Sequence, residues 1–181
     1  QHLTFMACLC ERMAPNFALF CQMTEQKPAD KTYHNILNLV WEFLTVKGAK
    51  INFENQLEKL EEIIPNVNDY DFFGVVPALD ACEALGELLH AIIAGETLEK
   101  AIQISQISLG TVCSLLETQE NRDLSEAELK TREEIEEELD LQWQIYRLLK
   151  DCEKRDVDLI LSLRNEIKQE GISNIGIKIE Q

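Results

Sequence analysis

The sequence predicts an all-α protein, a single-domain bundle of about seven to nine helices with a short extended C-terminal tail. Glycine and proline, which interrupt helices, number only seven and four among 181 residues. Apolar residues recur mostly every third or fourth position, the spacing of a helix face, and seldom alternate as in a strand. The composition, 45% hydrophobic and 28% charged, is that of an ordinary globular chain. We therefore expect residues 1–181 to form one helical domain.

The N-terminal part is expected to contain a helical hairpin followed by a central helix. Apolar residues from Leu3 to Met13 predict the first helix, and Pro15 suits the opening turn of the second. Asp30 is a candidate N-cap for the third, which is apolar around nearly its whole circumference and should be central. Its apolar residues are Ile36, Leu37, Leu39, Val40, Trp41, Phe43, Leu44 and Val46.

An exposed helix and a loop are predicted next. Asn52 or Asn55 can start this helix, because an asparagine side chain accepts a hydrogen bond from a free amide of the first turn. Pro65 ends it, since the residue before a proline disfavours helical backbone. Residues 66–74 are therefore expected to form a loop.

Two long helices should follow the loop. Pro77 can open the first, which runs through Ala94 and is closed by Gly95, a residue that readily adopts the left-handed conformation. The second spans about 97–117 and is rich in Ile, Leu and Val. We expect this second helix to pack inside the bundle.

Capping patterns mark two further helix starts. Ser125 with Glu128 and Thr131 with Glu134 both match the capping box, in which each side chain bonds an unpaired amide of the other's turn. The helix after Thr131 has glutamates in its first turns and basic residues near its end, the order that the helix dipole favours. This order alone explains much of the clustering of acidic residues at the start of this helix.

The last helix and the tail complete the chain. The helix is expected from about Asp156 to Lys168, and Gly171 ends it. From Ile172 to Gln181, isoleucines alternate with smaller or polar residues. This tail can lie extended against the bundle, and alone it is too short to change the fold class.

Charge argues against two classes of partner. The 17 basic and 33 acidic residues leave a net charge of −16, which repels phosphate backbones and anionic lipid surfaces. The longest apolar runs, Leu3 to Cys10 and Phe17 to Cys21, are shorter than the roughly 18 residues of a membrane span, and no signal peptide is visible. We therefore expect a cytoplasmic protein that binds neither nucleic acid nor membrane.

The charge is also unevenly distributed along the sequence. Residues 1–50 hold five basic and four acidic side chains, whereas residues 117–140 hold eleven acidic and three basic ones.

The six cysteines lie in apolar helical stretches, unlike the disulfide framework of a small secreted protein. We expect them to be reduced and mostly buried.

Three segments resemble the YjaG-like family of bacterial proteins. They are Gln1 to Phe20 (QHLTFMACLCERMAPNFALF), Leu44 to Pro65 (LTVKGAKINFENQLEKLEEIIP) and Ser173 to Ile177 (SNIGI). The most specific part is Phe5 to Met13 (FMACLCERM). The resemblance implies a cytosolic, helical, single-domain protein, but the family is known only as a domain of unknown function and supplies no active site. Relatives begin upstream of Gln1, so we expect a short N-terminal segment of the native chain to be absent here.

Five acidic residues are candidate ligands for a divalent ion. Glu58, Glu61 and Glu62 are followed by Asp80 with Glu83, and all-helical nucleotide pyrophosphatases hold Mg²⁺ with acidic residues three apart on adjacent helices. The order Asp then Glu is the reverse of the usual one in those enzymes. In so acidic a chain, a solvated helix face is the competing interpretation.

Other reactive groups are isolated in the sequence. Glu87 with His90 is the only Glu-x-x-His pair, whereas a di-iron bundle needs two. Consecutive acidic residues from Glu133 to Asp140 point around a helix and do not converge. The sequence has no phosphate-binding glycine loop, nucleophile elbow or paired Cys-x-x-Cys site, so we assign no catalytic residue and no cofactor.

These observations favour a non-enzymatic helical protein that acts through protein contacts. It would bind an unknown protein partner or form a homodimer through its nearly neutral N-terminal region. The phenylalanines, methionines and cysteines of the first 23 residues are more typical of a core, but any exposed part would favour self-association. The alternative is a Mg²⁺- or Mn²⁺-dependent hydrolase of nucleotides or other phosphorylated small molecules, which requires the five carboxylates to converge.

Overall fold

Helices account for most of the chain in the computed structural model, which describes residues 1–179. The eight α-helices of this range are α1 (His2–Met23), α2 (Lys27–Thr45), α3 (Phe53–Glu61), α4 (Val75–Ala94), α5 (Thr97–Glu120), α6 (Glu126–Leu129), α7 (Glu133–Leu149) and α8 (Val157–Glu170). A short 3-10 helix, Val67–Asp69, lies in the predicted loop. The described residues contain one isolated β-bridge and no strand. The predicted all-α class and helix number are confirmed.

Helix α1 lies at the centre of the bundle and contacts α2, α4, α5, α7 and α8. Its side chains are buried on every face, and those from Met6 to Cys10 are at most 1% exposed. The prediction that α2 is central is wrong. Asn35, Asn38 and Glu42 form an exposed polar stripe along α2, so this helix packs against the core with one face only.

Pro15 lies inside α1 and not at the start of a separate helix, so the predicted hairpin is wrong. Proline lacks the N–H that would bond the carbonyl of Glu11, which weakens a helix interior. The apolar side chains on both sides of Pro15 outweigh this cost, because Met13 and Phe17 are both fully buried in the same core. Burial therefore keeps the helix continuous through the proline.

Most of the predicted helix ends are confirmed. The side chains of Asn52 and Asp156 accept hydrogen bonds from amides in the first turns of α3 and α8. Ser125 forms the predicted capping box with Glu128 at the start of α6. Gly95 and Gly171 end α4 and α8 in the left-handed conformation, with φ of 80° and 61°, which a glycine adopts without steric cost.

Two predicted caps are wrong. Helix α2 begins at Lys27, so Asp30 lies inside its first turn and does not precede the helix. Helix α7 begins without a side-chain cap, and the hydroxyl of Thr131 instead donates to the carbonyl of Glu128 at 2.8 Å. Thr131 therefore serves the end of α6, which stops only two residues earlier.

The tail after α8 is non-helical, as predicted, and it turns back on itself. Ile172 and Lys178 form an antiparallel bridge, and Gly176 has a φ of 80° in the turn between them. The amide of Ser173 donates to the carbonyl of Ile177 at 2.8 Å. The last two residues of the predicted tail, 180–181, lie outside the described residues.

Replacing Pro15 with alanine is expected to raise the free energy of unfolding by about 1–3 kcal/mol, because the new amide can bond the carbonyl of Glu11. Chemical denaturation measures this quantity. Pro28→Ala is the control: Pro28 lies in the first turn of α2, where an N–H has no helical partner, so we expect a change below about 1 kcal/mol. Equal stability of the two variants would contradict a continuous α1.

Candidate functional site

A groove of about 600 Å³ lies between α5 and α7, with the start of α1 at one end. The two helices run antiparallel along it, since Ser105 bonds Gln142 and Ser108 bonds Glu138. Its apolar lining comes from three helices and consists of Phe5, Leu98, Ala101, Ile102, Leu139, Trp143, Tyr146 and Leu149. The groove is the largest of the described cavities and the one with the most apolar lining.

The large apolar side chains on the two walls of the groove are open to solvent. Leu98 and Ile102 on α5 are 59% and 52% exposed, and Leu139, Trp143 and Tyr146 on α7 are 40%, 53% and 49% exposed. On each helix they are spaced by three or four residues and so lie on one face. The two faces together form one apolar surface, which soluble monomers seldom leave bare.

The aromatic side chains of α7 are held in a defined arrangement. The rings of Trp143 and Tyr146 meet edge to face, with centroids 5.4 Å apart. The guanidinium of Arg147 lies 6.0 Å from the centroid of the Trp143 ring, at the limit of a cation–π contact. These contacts pack the exposed aromatic side chains against one another and restrict their rotamers.

A buried ion pair lies beneath the groove. Glu138 on α7 is 1% exposed, and its carboxylate pairs with the guanidinium of Arg12 on α1. The same carboxylate accepts hydrogen bonds from the hydroxyl of Ser108 at 2.7 Å and the amide of Gln142 at 3.0 Å. A buried carboxylate requires such partners, so these contacts set the position of α7 on α1 and α5.

The C-terminal tail joins this polar network. The side-chain amide of Asn174 donates to the hydroxyl of Ser108 at 3.0 Å and to its carbonyl at 3.1 Å. The side-chain oxygen of Asn174 accepts from the amide of Asn16 on α1 at 2.9 Å. Asn174 belongs to the SNIGI segment, so the structure gives part of that segment a structural role.

Side chains of the first two residues form hydrogen bonds with the helices at one end of the groove. The side-chain amide of Gln1 donates to the carbonyls of Lys150 and Cys152, at 3.1 Å and 2.6 Å, after the last turn of α7. A ring nitrogen of His2 lies 2.9 Å from the hydroxyl of Thr97, at the start of α5. The starts of α1 and α5 and the end of α7 are therefore joined by hydrogen bonds.

Four of the five candidate metal ligands lie on two helices, and the fifth, Glu62, directly follows α3. Glu58, Glu61 and Glu62 are all exposed. On α4, Glu83 is also exposed, whereas Asp80 faces α5 and accepts a hydrogen bond from Thr111 at 2.7 Å. Burial raises the pKa of Asp80, and the hydrogen bond from Thr111 acts against this shift.

The carboxylates are not brought together. Within residues 1–179, no group of three or more His, Cys, Asp or Glu side chains could hold a metal ion. Binding of Mg²⁺ or Mn²⁺ therefore stays a prediction that the geometry does not support. A rise in melting temperature on adding either ion, lost in Asp80→Asn, is the measurement that tests it.

The other reactive groups of the sequence do not form a site either. Glu87 pairs with Lys100 on α5, and His90 is exposed. The six cysteines are free thiols, and four of them are buried. Burial raises the pKa of Cys21 to about 12, which keeps the thiol protonated and unreactive at neutral pH.

The groove was not predicted from the sequence. The helix of residues 97–117 was expected to pack inside the bundle, but Ile102 on it is exposed, and Trp143 and Tyr146 were assigned no role. The missed signal is a second apolar stripe on α7, formed by Leu139, Trp143 and Tyr146 at spacings of four and three residues. Conversely, the first 23 residues are mainly core, and a homodimer through the N-terminal region stays a prediction.

Known proteins match this chain over nearly its whole length. The model of the family described as "Protein of unknown function (DUF416)" matches residues 1–178. An uncharacterised protein of Haemophilus influenzae is 74% identical over 181 residues, which are 100% of this chain and 92% of that protein. The uncharacterised protein YjaG of Escherichia coli is 54% identical over the same shares of the two chains.

A solved structure has the same fold. It is the crystal structure of a DUF416 family protein from Shewanella baltica, with a TM-score of 0.92 and 33% sequence identity. The match covers 99% of this chain and 93% of that one. None of these proteins carries a name that states an activity. Among residues 1–179, no helix is long and apolar enough to cross a membrane.

Replacing Arg12 with methionine is expected to lower the free energy of unfolding by about 3 kcal/mol, because the buried carboxylate of Glu138 loses its ion-pair partner. The double variant Arg12→Met/Glu138→Gln should recover more than half of this loss, since a neutral amide can still accept from Ser108. Denaturant melts measure both values.

The control for this pair is Lys168→Met. Lys168 lies 4.0 Å from Glu11 and its side chain is 50% exposed, so its loss should cost less than about 1 kcal/mol. The single variant Glu138→Gln completes the cycle. If the loss of stability in the double variant equals the sum of the losses in Arg12→Met and Glu138→Gln, the two side chains are not coupled and the network is not as described.

Proposed function

Because this chain belongs to the DUF416 family, whose function is unknown, we propose its function from geometry: it binds a helical segment of another protein in the groove between α5 and α7. The observation that carries the proposal is the exposed apolar surface on the two walls. Its five large side chains are Leu98, Ile102, Leu139, Trp143 and Tyr146, each at least 40% exposed.

The composition of this surface supports a protein partner. Binding energy at protein interfaces concentrates in tryptophan, tyrosine and arginine side chains that become buried. Trp143, Tyr146 and Arg147 are neighbours on one helix, and Trp143 already contacts the other two. Their ordering before binding reduces the entropy that a complex has to overcome.

The shape of the groove suits a helix. Its walls are two antiparallel helices, and a third amphipathic helix can place apolar residues between them at spacings of three and four. From Leu98 to Gln106 the α5 wall extends about 12 Å, and from Leu139 to Lys150 the α7 wall extends about 16 Å. A segment of two to three helical turns would therefore fill the groove.

Charge favours another protein over a second copy. Each copy has a net charge of −16, and half of that charge lies in residues 117–140, which include the first turns of α7. Two such surfaces repel each other at moderate salt. We also propose a cytoplasmic location, which the free cysteines support.

Trp143→Ala is expected to weaken binding of a helical peptide about thirtyfold or more, because a buried tryptophan contributes most at an interface. The peptide carries leucines at positions i, i+4 and i+7 and otherwise alanine and glutamine. Calorimetry measures the affinity, and NMR shift changes locate the peptide. Ile102→Gln on the opposite wall should act in the same direction.

The matched control is Leu148→Ala. Leu148 is 52% exposed on the same helix but lies about half a turn away from Leu139 and Trp143, so its loss should leave affinity unchanged. Equal losses for Leu148→Ala and Trp143→Ala, or no shift changes at Ile102 and Leu139, would contradict the proposal.

Two other occupants are tested in the same series. Light scattering shows whether the chain dimerises with concentration; a dimer lost in Trp143→Ala would place a second copy in the groove. The titration is also repeated with a chain lengthened by the residues that its longer relatives carry beyond the matched part. Failure of only this longer chain to bind would show that the polypeptide covers its own groove. Either result would overturn the proposal.

A further inference from the structure

The charges on the rim of the groove differ between its two ends. Glu136 and Asp140 on α7 are exposed and precede Leu139 and Trp143 by three residues, so they lie beside these two groove residues on the helix surface. At this end, the facing part of α5 presents the uncharged Gln106. The end formed by the first half of α7 is therefore acidic.

The other end of the groove carries the basic residues of the rim. Lys150 lines the groove there, and the guanidinium of Arg147 lies near the ring of Trp143. On α5, Glu99 is exposed one residue after Leu98 and contributes one negative charge. Asp151, exposed directly after Lys150, contributes another. The basic residues of the rim are therefore confined to this end, where they accompany two anions, whereas the first end has two anions and no cation.

From this asymmetry we propose the chemistry and direction of the partner helix; the inference rests on the proposed function of the groove. The partner helix carries lysine or arginine in its N-terminal half and aspartate or glutamate in its C-terminal half, and it runs parallel to α7. In that direction its side chains meet opposite charges at both ends.

The helix dipole favours the same direction. The free amides at the N-terminus of the partner helix form a positive end, which would lie next to Glu136 and Asp140. Its free carbonyls would lie near Arg147 and Lys150. A helix bound in the reverse direction would place its carbonyls against the two carboxylates, so side-chain charges and backbone dipoles act together.

Three peptides with one apolar face test this inference. The first has lysines in the N-terminal half and glutamates in the C-terminal half, the second has these charges exchanged, and the third has glutamine at all of these positions. We expect the first to bind about three- to tenfold more tightly than the third, and the third more tightly than the second, at low salt. The differences should shrink in 0.5 M salt, about a 4 Å screening length.

A matched pair of variants assigns the effect to the rim. Glu136→Gln/Asp140→Asn should remove most of the advantage of the first peptide over the third. Glu134→Gln/Asp158→Asn changes the net charge equally at exposed positions away from the groove and should leave the advantage intact. Equal losses in both variants would mean that net charge alone attracts the peptide and would overturn the inference.

The outcomes separate the inference from the proposed function. Equal affinity of all three peptides, or tighter binding of the second, would overturn the charge assignment while leaving the groove as the binding site. Binding by none of the three would overturn the proposed function itself. A spin label at the N-terminus of the first peptide should broaden the NMR signals of Glu136 more than those of Lys150, and the opposite pattern would reverse the proposed direction.

Discussion

Burial of α1 on every face is the constraint from which the rest of the fold follows. A helix without a polar face has to be enclosed by other helices, and α2, α4, α5, α7 and α8 all contact it. Even Pro15 stays within α1, because a helix ending there would leave Phe17 and Phe20 outside the core that now holds them at most 2% exposed. The bundle is therefore organised around one helix and has no separate layers.

Helix α7 packs against the rest of the bundle partly through buried polar side chains. Its inward stripe is polar at Glu138 and Gln142 and apolar at Ile145 and Leu149. Hydrogen bonds and the ion pair with Arg12 depend on direction and distance, so they permit one position of α7 more strictly than apolar contacts do. The groove beside α7 is consequently preformed, which lowers the cost of binding a partner.

Most of the fold could be predicted because the signals for helices are local. A cap or a closing glycine acts within one turn, and the structure contains the five that are decisive: Asn52, Ser125, Gly95, Asp156 and Gly171. Pro15 shows the limit of this reasoning. A proline suits both a helix start and a helix interior that packing holds together, and only contacts with distant helices decide between the two.

The groove could be predicted only in part, for the same physical reason. Two apolar stripes on α7 can be recognised in the sequence, but the stripe that faces solvent depends on contacts with α5. Those contacts join Ser108 to Glu138 and Ser105 to Gln142, which are 30 and 37 positions apart. The environment of a carboxylate is equally hard to predict from sequence, because a carboxylate on a helix can face solvent, a partner or the core. Glu138 belongs to the glutamates that the sequence analysis explained by the helix dipole, yet its burial positions α7. Its neighbours Glu136 and Asp140 stay at the rim because that burial orients the helix.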